Sequence, residues 1–209
     1  MSARTRTSTN LLLSLCLLAP WARAAPSLQS QNICNSPDQN VSEKVRRRRE
    51  VECLLSKLRD EQLRQSDPEE VFKAMRRLGE LRAVVVVGDL VRLLTLKRIF
   101  DWETPENAGH TGIEETIITV ANRYPAVDAL ISIGKPALPA LVEVIGSRES
   151  GSLESENAIF GVFMILQAQP AKGAEFLRRA ARRAPSREAA RRLLTASKNR
   201  LLSPTQSDR

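Results

Sequence analysis

The stretch from residue 124 to 145 reads Tyr-Pro-Ala-Val-Asp-Ala-Leu-Ile-Ser-Ile-Gly-Lys-Pro-Ala-Leu-Pro-Ala-Leu-Val-Glu-Val-Ile, and its punctuation limits what the chain can fold into. Pro125, Pro136, Pro139 and Gly134 all fall inside it. A proline inside a helix removes a hydrogen bond and clashes with the preceding turn, so it is tolerated only at a helix start. In a central strand it removes a ladder bond. What remains is two short helices joined by a turn. Ala126, Leu130 and Ile133 mark the buried face of the first. Gly134-Lys135 turns the chain, Pro136 opens the second helix, and Pro139 still lies in its first turn. Leu138, Leu141, Val142 and Ile145 form the apolar face of that second helix.

Two weaker copies flank this stretch. Gly88-Asp89-Leu90-Val91-Arg92-Leu93-Leu94 matches Pro139-Ala140-Leu141-Val142-Glu143-Val144-Ile145 at an offset of 51. Ala174-Glu175-Phe176-Leu177 matches Leu138-Pro139-Ala140-Leu141 at an offset of 36, after an apolar helix from Ala158 to Ala168. Upstream, Asp67-Pro68-Glu69-Glu70 supplies a cap, a proline at the first helical position and acids in the first turn. The helix it begins carries Val71, Phe72, Met75 and Leu78, and Gly79 is expected to stop it. Val84 to Val87 alone reads as a strand, but Ala83, Val87, Leu90, Leu94 and Ile99 continue at helical spacing and predict a second helix. Residues 100–112 break the period and read as an insertion. Ile113, Ile117, Ala121 and Tyr124 then share a helical face, Ser147 to Glu156 reads as a polar linker, and Ser186 to Leu201 as a last helix with Ala189, Ala190, Leu193 and Leu194 inward.

A helix, a glycine turn and Pro-Ala-Leu-Pro-Ala-Leu opening a second helix closely resembles a HEAT-like, armadillo-type helical repeat. The resemblance covers residues 68–183 and is strong only in the middle copy. It implies an all-α fold, a right-handed α-α superhelix in the form of a short solenoid over residues 67–201. In such arrays each unit buries its apolar face only by stacking on neighbours, and the stack offers an extended concave surface. The polar-faced last helix suits a solenoid end, and residues 202–209 are expected to be a disordered tail. Some HEAT-like proteins act as bilin lyases or their relatives; nothing here beyond the generic repeat points that way.

The N-terminus reads as an export signal. Arg4 and Arg6 precede the short apolar run Leu11 to Ala19, and Ala22-Arg23-Ala24 is a small-x-small cleavage site, so cleavage is expected after Ala24. A single anchoring helix and a lipid anchor on Cys16 are the alternatives, but the run is short for a span and Leu15 is a poor residue before a lipidated cysteine. No other segment has transmembrane length, so the mature chain is expected to be secreted or periplasmic. Removing residues 1–24 takes three arginines and no acid, which lowers the net charge from +8 to +5. That is mildly basic, not a nucleic-acid composition. Cys34 and Cys53 then remain, and in an oxidising compartment they read as one disulfide rather than two thiols. It would close a loop of roughly 20 residues, stabilising by about 3 kcal/mol less any strain. Residues 25–40 are polar and read as a disordered leader, and Asn40-Val41-Ser42 is a glycosylation triplet if the source is eukaryotic.

Residues 41–66 predict a basic helix with an apolar stripe of Val41, Val45, Val51, Leu54, Leu55 and Leu58. Arg46, Arg47, Arg48 and Arg49 on it are either a patch for an anionic polymer or a solvated face, with Glu43, Glu50 and Glu52 nearby.

The search for chemistry finds little. His110 is the one histidine and lies in a glycine-bearing loop with no nucleophile signature beside it. Structural zinc needs about four Cys or His ligands, and the mature chain has three such residues. Asp101, Glu103, Glu106 and Asn107 fail the spacing of a calcium loop, with Glu106 where glycine is required and Gly112 where the bidentate acid belongs. No phosphate-cradling loop is present. The expectation is therefore no catalytic residues, no metal and no cofactor. The best recognition loop is Phe100, Asp101, Trp102 and Glu103, unless the two aromatics tuck into the core. The reading that follows is an extracytoplasmic scaffold for a protein partner, with binding of an anionic envelope polymer as the alternative.

Overall fold

The structure, a computed structural model, describes residues 42–98 and 120–199. All of them lie within one unit of the chain, Cys34–Arg209. The expected signal peptide, the expected leader with Cys34, the expected 100–112 insertion with His110 and the expected tail fall outside the described residues. So do Val41, Ile99, Ile113 and Ile117.

Regular structure among the described residues is entirely helical. Helix α1 is Glu43–Arg59, α2 Glu61–Ser66, α3 Pro68–Glu80, α4 Val87–Val91 and α5 Pro125–Ile133. Helix α6 is Leu138–Ser147, α7 Leu153–Ile165, α8 Pro170–Arg182 and α9 Arg187–Ala196. Residues 120–123 are also helical. Short 3-10 turns, Val84–Val86 and Lys135–Ala137, lead directly into α4 and α6. The expected single helix over 41–66 is broken at Asp60, whose extended backbone ends α1 and whose carboxylate accepts from the Leu63 N–H at 2.9 Å to cap α2.

Helix α3 begins as expected: Asp67 accepts from the Glu70 N–H at 3.3 Å, and Pro68 occupies the first turn. Its end differs from expectation. Gly79 does not stop the helix but is buried inside it. A Cβ there would stand 2.9 Å from Ala129 Cα on α5, so the missing side chain allows α3 and α5 to approach. The stop lies at Arg82, in the left-handed region at φ 47°. The Ala83 N–H bonds Leu78 O at 3.1 Å and the Arg82 N–H bonds Gly79 O at 2.8 Å, the paired bonds of a Schellman termination.

The offset of 51 between sequence copies reappears in the backbone. Val84–Val86 and Lys135–Ala137 are 3-10 turns at that spacing, each running into an α-helix. The same bond closes both: Val86 N–H to Ala83 O at 3.1 Å, and Ala137 N–H to Gly134 O at 2.9 Å. Gly134 takes φ 83°, as the expected turn requires. The 36-residue offset has no such turn, because α8 starts directly at Pro170.

The second helix of the first copy keeps its predicted phase but not its length. Ala83, Val87, Leu90 and Leu94 are buried, yet α4 ends at Val91. Beyond Val91 the backbone tightens into turns, with Leu93 N–H to Leu90 O at 2.9 Å and Leu96 N–H to Leu93 O at 3.0 Å; further on, the Arg98 N–H bonds Arg123 O at 2.8 Å and Leu94 O accepts from the Asn157 amide at 2.7 Å. Two smaller expectations also change. Helix α7 begins inside the expected polar linker, capped by Ser152, and buries Ser155 and Asn157. Leu194 is 44 % exposed, because it lies a 100° step away from the inward stripe of Leu193 and Ala196.

The helices pack in two rows. Helices α3, α5 and α7 are successive neighbours in one, and α4, α6 and α9 in the other. Contacts of α4 with α5 and of α6 with α7 join the rows, and α8 lies against α7 and α9. One continuous apolar core runs through them. Helix α7 is buried almost all round, because α5, α6 and α8 all pack against it. No single helix among the described residues is long and apolar enough to cross a membrane; α5 and the following turn and helix reach that composition only together, bent by 115°.

Candidate functional site

The basic run on α1 is exposed from Arg46 to Arg49. Helical geometry turns successive residues by 100°, so the four guanidinium groups do not share one face. Arg47 donates to Leu81 O at the end of α3, where helix carbonyls carry partial negative charge. Arg48 donates to Glu52 at 2.9 Å, and Arg49 is also partnered. Helix α1 lies on α3 and buries Leu54 and Leu58. Ion pairs frame that contact, Arg77 to Glu50 at 2.6 Å and Lys57 to Glu70 at 3.1 Å, and Arg59 ties α1 to α4 through both oxygens of Asp89 at 2.9 and 3.0 Å. Each such surface pair is worth under about 1 kcal/mol, so the buried leucines hold the helix and the charges set its register. Hydrogen bonds from Lys73 and then Lys57 keep the Glu70 carboxyl below the usual range.

Between α1 and the turn after α3 lies an open cleft of about 480 Å³. Its apolar wall is Val51, Ala83, Val84 and Val85. Lys44, Arg47, Arg48 and Arg82 rim it, with Glu52 the one carboxylate among the lining residues. The local sequence produces this wall. Ala83, Val86 and Val87 take the inward positions of the 3-10 turn and α4, which leaves Val84 and Val85 51 % and 74 % exposed. At the matching positions of the second copy, 51 residues on, stand Lys135 and Pro136, also exposed. The two turns share a backbone, and they differ in that the first presents apolar side chains to solvent. The signal in the sequence is that the match at an offset of 51, carried four residues upstream of Gly88, sets Val84 and Val85 against Lys135 and Pro136.

Other depressions are more polar or closer to the ends. One, about 390 Å³, lies between α4 and α6 with Arg92, Glu143, Arg148 and Glu154 on its walls. Another, about 530 Å³, lies where α9 meets the start of α7, beside Ser155, Arg192 and Asn199. The arginines of the last two helices gather on their own carboxylates. Arg178, Arg179 and Arg182 stand 3.6, 3.2 and 3.8 Å from Glu175. Arg191 and Arg192 stand 2.8 and 3.1 Å from Glu188. Arg192 also reaches across to Ser147 O at 2.5 Å, at the end of α6.

Cys53 lies half-buried on α1; Cys34, the expected other half of a disulfide, lies outside the described residues. Phe100, Asp101, Trp102 and Glu103 lie outside them too, so the structure brings that loop into no site. Among the described residues no cluster of three or more His, Cys, Asp or Glu side chains could hold a metal ion. No family model, no curated protein and no solved structure matches this chain.

Proposed function

We propose that the chain is an exported, non-catalytic scaffold of the HEAT-like type, a short right-handed superhelix that works by binding another protein. The observation that carries this reading is the duplicated turn that differs in its exposed residues. One copy ends in Lys135 and Pro136, the other in Val84 and Val85 above a cleft. Adjoining exposed apolar side chains with a polar rim are the arrangement that marks interaction sites when the patch is contiguous, as Val84 and Val85 with Val51 and Ala83 are here. The repeated 3-10 turn and the two-row packing support the solenoid part of the reading. The positive n-region, short apolar run and cleavage site support export, and the even pair of cysteines left after cleavage, Cys34 and Cys53, supports a disulfide in an oxidising compartment. Phe100 to Glu103 remain a second candidate contact, for which Trp102→Ala should weaken partner capture while leaving the unfolding midpoint unchanged.

The alternative, an anionic polymer held by arginine-rich helices, draws less support, because the arginines of α8 and α9 are largely engaged by Glu175 and Glu188. The test is a photo-crosslinking side chain placed at position 85 of the full chain in its own cells, with position 136 as control. A discrete protein adduct from 85 and none from 136 is expected. Equal labelling at both positions, or a polyanion smear that vanishes with moderate salt, would defeat the proposal.

A further inference from the structure

The cleft between α1 and the turn at 81–85 is selective in charge as well as apolar, and the two features together describe what fits it. We infer that it takes an extended acidic peptide segment carrying an aliphatic side chain, which seats on Val84 and Val85 while its carboxylates meet Lys44 and Arg82. This deepens the protein-binding reading and rests on it.

Two independent observations lead there. The rim holds four cations against one carboxylate, and Glu52 pairs with Arg48, so the cleft keeps a net positive charge carried by Lys44, Arg47 and Arg82. An anionic partner is therefore favoured and a cationic one repelled. The second is the conformation of Arg82. It holds the left-handed position at the end of α3, where glycine is the residue of lowest strain. An arginine there costs stability relative to glycine, and its side chain lines the cleft. An extended peptide suits a concave wall that offers β-branched side chains rather than another helix. A membrane surface suits it less, because interfacial insertion draws on Trp, Phe and Leu, and the exposed apolar residues here are valines.

The experiment measures fluorescence anisotropy of labelled peptides on the full chain. One peptide alternates Glu with Leu, a second Glu with Ser, a third Lys with Leu. The Glu/Leu peptide is expected to bind about tenfold more tightly than either of the others. Val85→Ser should weaken it about tenfold, to the level of the Glu/Ser peptide. Arg82→Gly should weaken it about threefold and flatten its salt dependence, while raising the unfolding midpoint. Lost binding with gained stability cannot come from a damaged fold. The inference is overturned if the Glu/Leu peptide shows no binding up to about 1 mM. It is equally overturned if that peptide does not surpass the Glu/Ser peptide, or if neither variant changes its affinity. Attachment to phosphatidylserine vesicles that depends on Val85, with no peptide binding, would replace the peptide by a lipid surface. A protein adduct at position 85 in cells, joined to indifference toward the acidic peptide, would sink this partner chemistry and leave the binding reading standing. Peptide binding without an adduct would do the reverse.

Discussion

Gly79→Ala sets two opposing effects against each other at one atom. In a helix interior, replacing glycine with alanine stabilises by about 1 kcal/mol, because the glycine backbone loses more freedom on folding. Gly79 lies inside α3, so propensity alone predicts a gain. The packing predicts a loss. The new Cβ would stand 2.9 Å from Ala129 Cα, 3.2 Å from Ala129 O and 3.2 Å from Ser132 Cβ, against the 3.4 Å at which ordinary contact begins. Two of those three atoms are backbone, so no side-chain rotation relieves the contact. Helices α3 and α5 must separate by roughly half an ångström, and overpacking of this kind costs about 1 to 3 kcal/mol. The expected net result is a destabilisation of about 1 kcal/mol, read as a lowered midpoint in urea at unchanged slope. Gly88→Ala is the control. It lies on α4 with nothing within 4 Å of the added carbon, so it should stabilise, by about 0.5 kcal/mol. Equal stabilisation by both substitutions would refute the close approach of α3 and α5.

Further outcomes follow from single contacts. Asn157→Ala should cost about 2 to 3 kcal/mol in denaturant unfolding, because Leu94 O loses its buried donor and a cavity is left; an unchanged midpoint would remove Asn157 from the core. Arg192→Ala should cost about 1 kcal/mol by taking a cation from the last carbonyls of α6, and high salt should recover little of it, since that side chain is mostly buried. Gln167→Gly should raise the melting temperature by an amount matching about 0.5 to 1 kcal/mol, because residue 167 holds φ 64° at the end of α7. Asp128 is raised above the usual carboxylate range by burial, partly opposed by Arg76. A raised carboxyl favours folding at low pH, and that contribution is lost as pH rises through its folded-state pKa. Asp128→Asn should therefore stabilise at neutral pH and lose its advantage in acid; an advantage constant with pH would rule out the titration as its cause.

Much of the fold was legible because it rests on local rules. Asp67-Pro68 set the start of α3, Gly134 the central turn, and the stripes Ala126/Leu130/Ile133 and Leu138/Leu141/Ile145 the inward faces. What was not legible depended on partners distant in sequence. Gly79 reads as a stop until Ala129 is placed against it, and the buried stripe through Leu94 reads as one long helix although the backbone turns after Val91 and Leu94 O pairs with Asn157. Arg82 gives no local sign of a left-handed residue, since a side chain there is unfavourable and only the surrounding packing enforces it. The cleft was hidden for another reason. Val84 and Val85 look like core by composition, and only the turn geometry puts them outside.

The bond from Asn157 to Leu94 joins residues 63 positions apart and closes the end of the first copy with a side chain from the third helix of its row. A chain emerging from a ribosome therefore leaves the Leu94 carbonyl without its buried donor until α7 has been made. Truncation before residue 153 should then weaken the first copy by about 1 to 3 kcal/mol through that carbonyl alone, so the stability of the early helices is completed by a helix made much later.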